Sequence, residues 1–238
     1  MARLEEQAAV GHRHKTFRDK KDGCIKVVMK PMSVPNKPDG LIRGPLTRTT
    51  MHLCIDMQEM FAQDTPWHTP WMKRVLPKVT QIAEAHPEQT IYTRFIPPAE
   101  PEDLTGSWRV FYQRWRDMTT TRIDPAFLDL VRPLRELAAV GTVLDKQFFS
   151  PFHSTDLAAR LNKRGVDSLV ITGAETDMCV LAAVLDAVDL GFRVVIPVDA
   201  LCSSSDEMHD ALLGLYRNRF SYQIETADTE VILNHWPV

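Results

Sequence analysis

Three residues that can do chemistry stand at the ends of short apolar runs in this 238-residue chain. Asp56 closes "MHLCID", Lys146 closes "GTVLDK", and Cys179 follows "SLVITG" within "GAETDMCV". A nucleophile, a base and a cation are the parts needed for acyl transfer. A free thiol has a pKa of about 8.5, and a helix N-terminus or a nearby ammonium lowers it. A carboxylate in hydrogen-bond reach takes the thiol proton and passes it to a leaving amine. Backbone N–H groups at a helix start hold the oxyanion of a tetrahedral intermediate.

Two further strand-end residues join the list, Asp199 after "RVVIPV" and Arg94 in "TIYTRFI". Arg94 has two readings. One is a surface arginine paired with Glu100 or Glu102. The other is a clamp, whose paired donors match a carboxylate on the substrate.

These residues act together only if the elements that carry them meet at one edge. From residue 51 the chain alternates short apolar runs with helical patterns. "MHLCID", "TIYTRFI", "GTVLDK", "SLVITG" and "RVVIPVDA" read as strands, and "YQIETADTEVIL" as a last strand and a short helix. Between them "WMKRVLPKVTQIAEAH" has apolar residues at Val75, Val79, Ile82 and Ala83, with Pro77 placed near its first turn. "DPAFLDLVRPLREL", "STDLAARLNKRG", "CVLAAVLDAVDLG" and "SSSDEMHDALLGLYRNRF" read as the other helices. Alternating strands and helices imply right-handed βαβ units and a three-layer α/β/α domain. Its sheet is mostly parallel, with about six strands. Ligands in such domains sit beyond the carboxyl ends of the strands.

The N-terminal stretch differs. Residues 1–49 hold 11 basic and 5 acidic side chains, a net of +6 in a chain whose formal charge is −3. They read as a basic N-terminal arm or extension before a separate domain over 50–238. Within the arm, "CIKVVMK" reads as an edge strand or hairpin and "PMSVPNKPDG" as an extended segment and turn. Glu5, Glu6, Asp19 and Asp22 interrupt its charge, so neither a nucleic-acid partner nor a targeting signal is expected. The chain contains no stretch of about 18 apolar residues, so no membrane partner is expected. Four cysteines without CxxC spacing argue against a disulfide framework and a zinc site, and for a cytoplasmic location.

"DMQ" after the first strand, "DK" before "FFSPF", and "GAETDMCV" after the fourth resemble the isochorismatase-like cysteine hydrolases. That family includes nicotinamidases, N-carbamoylsarcosine amidase, ureidoacrylate amidohydrolases and biuret hydrolase. The resemblance covers about residues 50–235 and keeps the order Asp, Lys, Cys. It implies that Cys179 is the nucleophile, Asp56 the base and acid, and Lys146 the cation that orients Asp56. It also implies a cis peptide at Ala174–Glu175 and an oxyanion hole made by the N–H groups of Glu175 and Cys179. The implied reaction is hydrolysis of a C–N bond in a small amide, carbamoyl or ureido compound. A covalent acyl-enzyme forms, ammonia or an amine is released, and no cofactor is needed. A homodimer or homotetramer is expected. Nicotinamidases add a metal motif of Asp and several His after the second strand, and residues 91–122 contain no histidine. Two rival readings remain: vinyl ether hydrolysis of the isochorismatase type by Asp56 alone, and a catalytically silent binding module.

Other residues are weighed against plainer roles. Cys24, Cys54 and Cys202 read as structural thiols. Trp108, Phe111, Tyr112 and Trp115 share helical spacing and read as core or dimer packing. Trp67, Trp71, Phe149 and Phe152 follow catalytic strands closely and are expected to line the substrate pocket. His68, His153 and His209 show no ligand spacing. Ser203 to Ser205 read as a helix cap.

Overall fold

A computed structural model describes residues 40–237. The expected edge strand or hairpin in "CIKVVMK" and Cys24 lie outside the described residues. The strands are β1 (Thr50–Ile55), β2 (Thr90–Phe95), β3 (Thr142–Lys146), β4 (Ser168–Ala174), β5 (Arg193–Pro197), β6 (Leu201–Cys202) and β7 (Ile224–Ala227). They form one seven-stranded sheet in the order β3-β2-β1-β4-β5-β7, with β6 paired to the end of β4. Every strand pairing is parallel. The helices are α1 (Glu59–Ala62), α2 (Met72–Ala85), α3 (Gly106–Arg114), α4 (Arg132–Leu137), α5 (Leu157–Lys163), α6 (Leu181–Asp189), α7 (Asp206–Asn218) and α8 (Thr229–Asn234).

Alternation along the strands splits the core in two, because successive side chains point to opposite faces. Leu53, Ile91, Leu169 and Ile171 pack against α5, α6 and α7 through Leu161, Val180, Val184 and Leu213. Cys54 and Tyr92 pack on the other face against α2, α3 and α4 through Met72, Val79, Tyr112 and Leu134. The result is the three-layer α/β/α domain, with the central strands β1 and β4 fully buried.

Two local features differ from the sequence reading. Helix α2 begins at Met72, which puts Pro77 in its interior rather than its first turn. There the proline removes one intrahelical N–H donor. The last ten residues of the expected arm also belong to the domain's packing. Leu46 is buried beside Ile82, Val195 and Trp236, and Gly40 N–H donates to Thr226 O. Among the described residues no helix is long and apolar enough to cross a membrane.

Candidate active site

Strand β1 ends where the backbone of Asp56 takes φ 47°, a left-handed value uncommon for a non-glycine residue. The carboxylate is held there from two sides. Thr93 Oγ1 donates to Asp56 Oδ1 at 2.6 Å and accepts from Asp56 N–H at 3.1 Å. Gln58 then ties β1's exit to β2's: its Oε1 accepts from Phe95 N–H at 2.6 Å and its Nε2 donates to Phe95 O and Leu128 O. Sequence reasoning gave Thr93 no part and carried Gln58 only as the last residue of "DMQ". The signal for Thr93 was its place one residue before Arg94, on the opposite side of the strand.

Lys146 ends β3 with its side chain fully buried. Its Nζ lies 2.6 Å from Asp56 Oδ2 and 3.4 Å from Cys179 Sγ, and donates to Phe148 O at 3.0 Å. The Phe95 ring centroid lies 4.9 Å from the same Nζ. Burial alone would lower the lysine's pKa, but the Asp56 carboxylate and Cys179 hold it above its ordinary value. Lys146 is therefore an ammonium at neutral pH.

Cys179 sits in a wide helical turn, Thr176–Val180, that leads into α6. Met178 and Val180 N–H both donate to Glu175 O at 3.1 Å, and the Cys179 N–H between them lies in the open first turn. The Ala174–Glu175 peptide is cis. Gly173 explains the first letter of the motif. Its φ is +111°, and a Cβ there would lie 2.0 Å from Ile55 O, so β4 can approach the end of β1 only as glycine.

The thiol is a correction. Burial pushes Cys179 up, and Lys146 offsets only part of the shift while Asp56 adds to it. This direction is opposite to the lowered thiol pKa expected from the sequence.

Arg94 is a second correction. Phe95 pairs with Lys146 in the sheet and Arg94 with Asp145, so the guanidinium lies on the face opposite Lys146. Its Nε and Nη2 donate to Asp145 at 2.7 and 2.8 Å, and its Nη1 to Asp129 at 3.3 Å. Glu100 and Glu102 pair instead with Arg116. Asp199 accepts from Thr229 at the start of α8 and stays outside the cluster.

The aromatic residues divide. Trp67 packs against Phe95, Phe111, Tyr112 and Trp115, next to the ring that faces Lys146. Phe149 packs on Trp108 at 4.7 Å over the loop that follows Lys146. Trp71 lies 5.9 Å from His209, whose ring bonds Thr176 Oγ1 at 2.9 Å. Phe152 turns away: it stacks on Phe192, which precedes β5 at the amino end of the strands, because Ser150 anchors its loop to Asp186. Tyr112 is packed in the second core as its spacing implied, and its buried hydroxyl has no hydrogen-bond partner. Ser205 caps α7 by accepting from Met208 N–H, whereas Ser203 and Ser204 reach Asp177 and Glu175 in the nucleophile turn.

The isochorismatase domain profile matches residues 50–228, which include all three strand-end residues. The chain belongs to the isochorismatase family. Maleamate amidohydrolase of Pseudomonas putida is 30% identical over 120 residues, 50% of this chain and 54% of that enzyme. The chain thus spans about half the length of this relative. A cysteine hydrolase from Pseudomonas syringae pv. phaseolicola shares the fold, with a TM-score of 0.71 at 22% identity, over 84% of this chain and 97% of that one. N-carbamoylsarcosine amidase from Thermoplasma acidophilum aligns with a TM-score of 0.61 at 17% identity, over 76% and 96%. Among the described residues no group of three His, Cys, Asp or Glu is placed to hold a metal ion.

Proposed function

We propose that this isochorismatase-family hydrolase cleaves a C–N bond in a small amide, carbamoyl or ureido compound. In this reading Cys179 is the nucleophile, Asp56 the proton carrier and Lys146 the cation between them. One observation carries it: a fully buried ammonium 2.6 Å from a carboxylate and 3.4 Å from a thiol sulfur at one edge of the sheet. The names of the maleamate and N-carbamoylsarcosine relatives add support for C–N chemistry.

A neutral thiol suits general-base attack. As the S–C bond forms, the thiol proton passes to Asp56, and Lys146 steadies the charge as it moves from carboxylate to sulfur. The carbonyl oxygen becomes an oxyanion held by the N–H groups of Glu175 and Cys179. The C–N bond then breaks, and the proton on Asp56 goes to the leaving nitrogen. Water next adds to the thioester carbon and gives a proton to Asp56. The C–S bond breaks, the proton returns to sulfur, and an acid leaves. The net reaction consumes one water and releases an acid and ammonia or an amine.

The test is ammonia release from a panel of small amides and ureides, with Cys179→Ala as the control. The variant should lose turnover by about ten-thousandfold or more, and mass spectrometry of the wild type should trap an acyl adduct on Cys179. Full activity in Cys179→Ala, or an adduct on another residue, sinks the reading.

A further inference from the structure

Glu175 is an acid one turn upstream of the nucleophile, on the same carboxyl edge as Asp56. Its carboxylate spans the end of β4: Oε1 accepts from Thr69 Oγ1 at 3.0 Å and Oε2 from Ser204 Oγ at 3.3 Å. Thr69 lies on the loop after β1 and Ser204 on the loop after β6, the two strands that flank β4 at this edge. A carboxylate has about four lone-pair sites, and two neutral hydroxyls fill only half of them. The group is partly buried, and among the described residues no basic side chain pairs with it or with Asp177. Lys146 is committed to Asp56, Arg94 lies on the other face of the sheet, and Arg74 sits over the Trp71 ring. Burial lifts the Glu175 carboxyl above its ordinary range, and the charge of Asp177 adds to this against the two hydroxyl bonds. A partly buried acid without a cation gains most from a ligand that brings one.

We propose that Glu175 reads a cationic group on the substrate. The preferred substrate is then a small amide or ureido compound with an ammonium or amidinium group at the end remote from the scissile bond. This rests on the hydrolase reading above. It reverses the preference for an acidic substrate that Arg94 suggested from the sequence alone.

Three near-isosteric amides test it: γ-aminobutyramide with a cation, pentanamide with none, and succinamate with an anion. Wild-type kcat/KM should favour γ-aminobutyramide over pentanamide by about tenfold or more, with succinamate lowest. Glu175→Gln should bring the first ratio close to one, mainly by raising KM for the cation. Equal wild-type kcat/KM for the cationic and neutral amides overturns the proposal without any variant. So does a preference that Glu175→Gln leaves intact. In either case, ammonia release that depends on Cys179 leaves the hydrolase reading standing. If no amide is turned over, the hydrolase reading falls, and calorimetry decides for Glu175. Butylammonium should bind the wild type more tightly than butyrate does and lose that advantage in Glu175→Gln. Equal binding of the two ions overturns the proposal.

Discussion

Two buried ion pairs sit in this sheet, and only one of them adjoins a reactive atom. At the carboxyl edge, Lys146 and Asp56 are sealed from solvent, with the Cys179 sulfur as a third partner. Nearer the amino end of β5, Arg193 donates to both oxygens of Glu225 at 2.7 and 3.0 Å. That pair closes on backbone: Arg193 also donates to Gly44 O and Pro45 O, and Glu225 accepts from Arg43 N–H. Glu225 is nearly as buried as Asp56, so burial and pairing alone do not mark a site. The difference lies in what fills the remaining valences. Backbone groups make the second pair a clasp on residues 43–45, whereas a thiol makes the first pair a machine for moving a proton.

The comparison breaks most sharply at the cations. Lys146→Ala should cost about 3–5 kcal/mol in denaturant unfolding, because it strands a buried carboxylate, and Arg193→Ala less, because Arg43 still lies 3.9 Å from Glu225. Only Lys146→Ala should also abolish turnover per folded molecule. Equal losses of specific activity in the two variants would erase the distinction between clasp and site.

A smaller effect is expected where β4 meets β1. Gly173→Ala places a methyl against Ile55 O in a backbone conformation alanine rarely adopts, and should cost about 2–3 kcal/mol. Thermal unfolding unchanged within error would mean that the two strand ends can separate freely.

The mid-sheet contributes through pH. His52 is fully buried between Thr90 and Thr172, and burial, helped by His86, lowers its pKa to about 3. The unfolded chain binds this proton near pH 6.5 and the folded chain does not, so stability is present above 6.5 and lost as pH falls toward 3. His52→Gln should remove up to about 1.4 kcal/mol per pH unit from the acid limb of the stability curve. Parallel acid limbs in wild type and variant would assign the acid loss to other groups. The smallest expected effect is none at all: exhaustive chelation should leave turnover unchanged, and recovery only on adding a metal would overturn that.

Much of this was legible because strands and helices announce themselves by period. The apolar runs placed Asp56, Lys146 and Cys179 at strand ends, and parallel pairing brought those ends together. What was not legible depends on side-chain direction and on distant packing. Arg94 and Thr93 are neighbours in sequence, yet the two-residue alternation sends Thr93 to Asp56 and Arg94 to Asp145. Phe152 is three residues from Phe149, but the Ser150–Asp186 bond turns its loop toward the amino end of β5. The thiol's raised pKa follows from how tightly the whole domain closes over it, which no local stretch encodes. Ser203 and Ser204 read as a cap because nothing near them in sequence hints at the nucleophile turn they support.

Of the chain's five tryptophans, Trp67, Trp108 and Trp115 belong to the one aromatic group that surrounds Tyr112 and covers the loop after Lys146. That crowding makes the site its own optical probe. The Trp67 and Trp115 indoles lie 6.4 Å apart, close enough to exchange excitation, so their emission reports a common environment. A small molecule entering beside Lys146 changes the polarity at one wall of that group. Binding can then be followed in stopped flow with no added dye, ahead of any bond being broken.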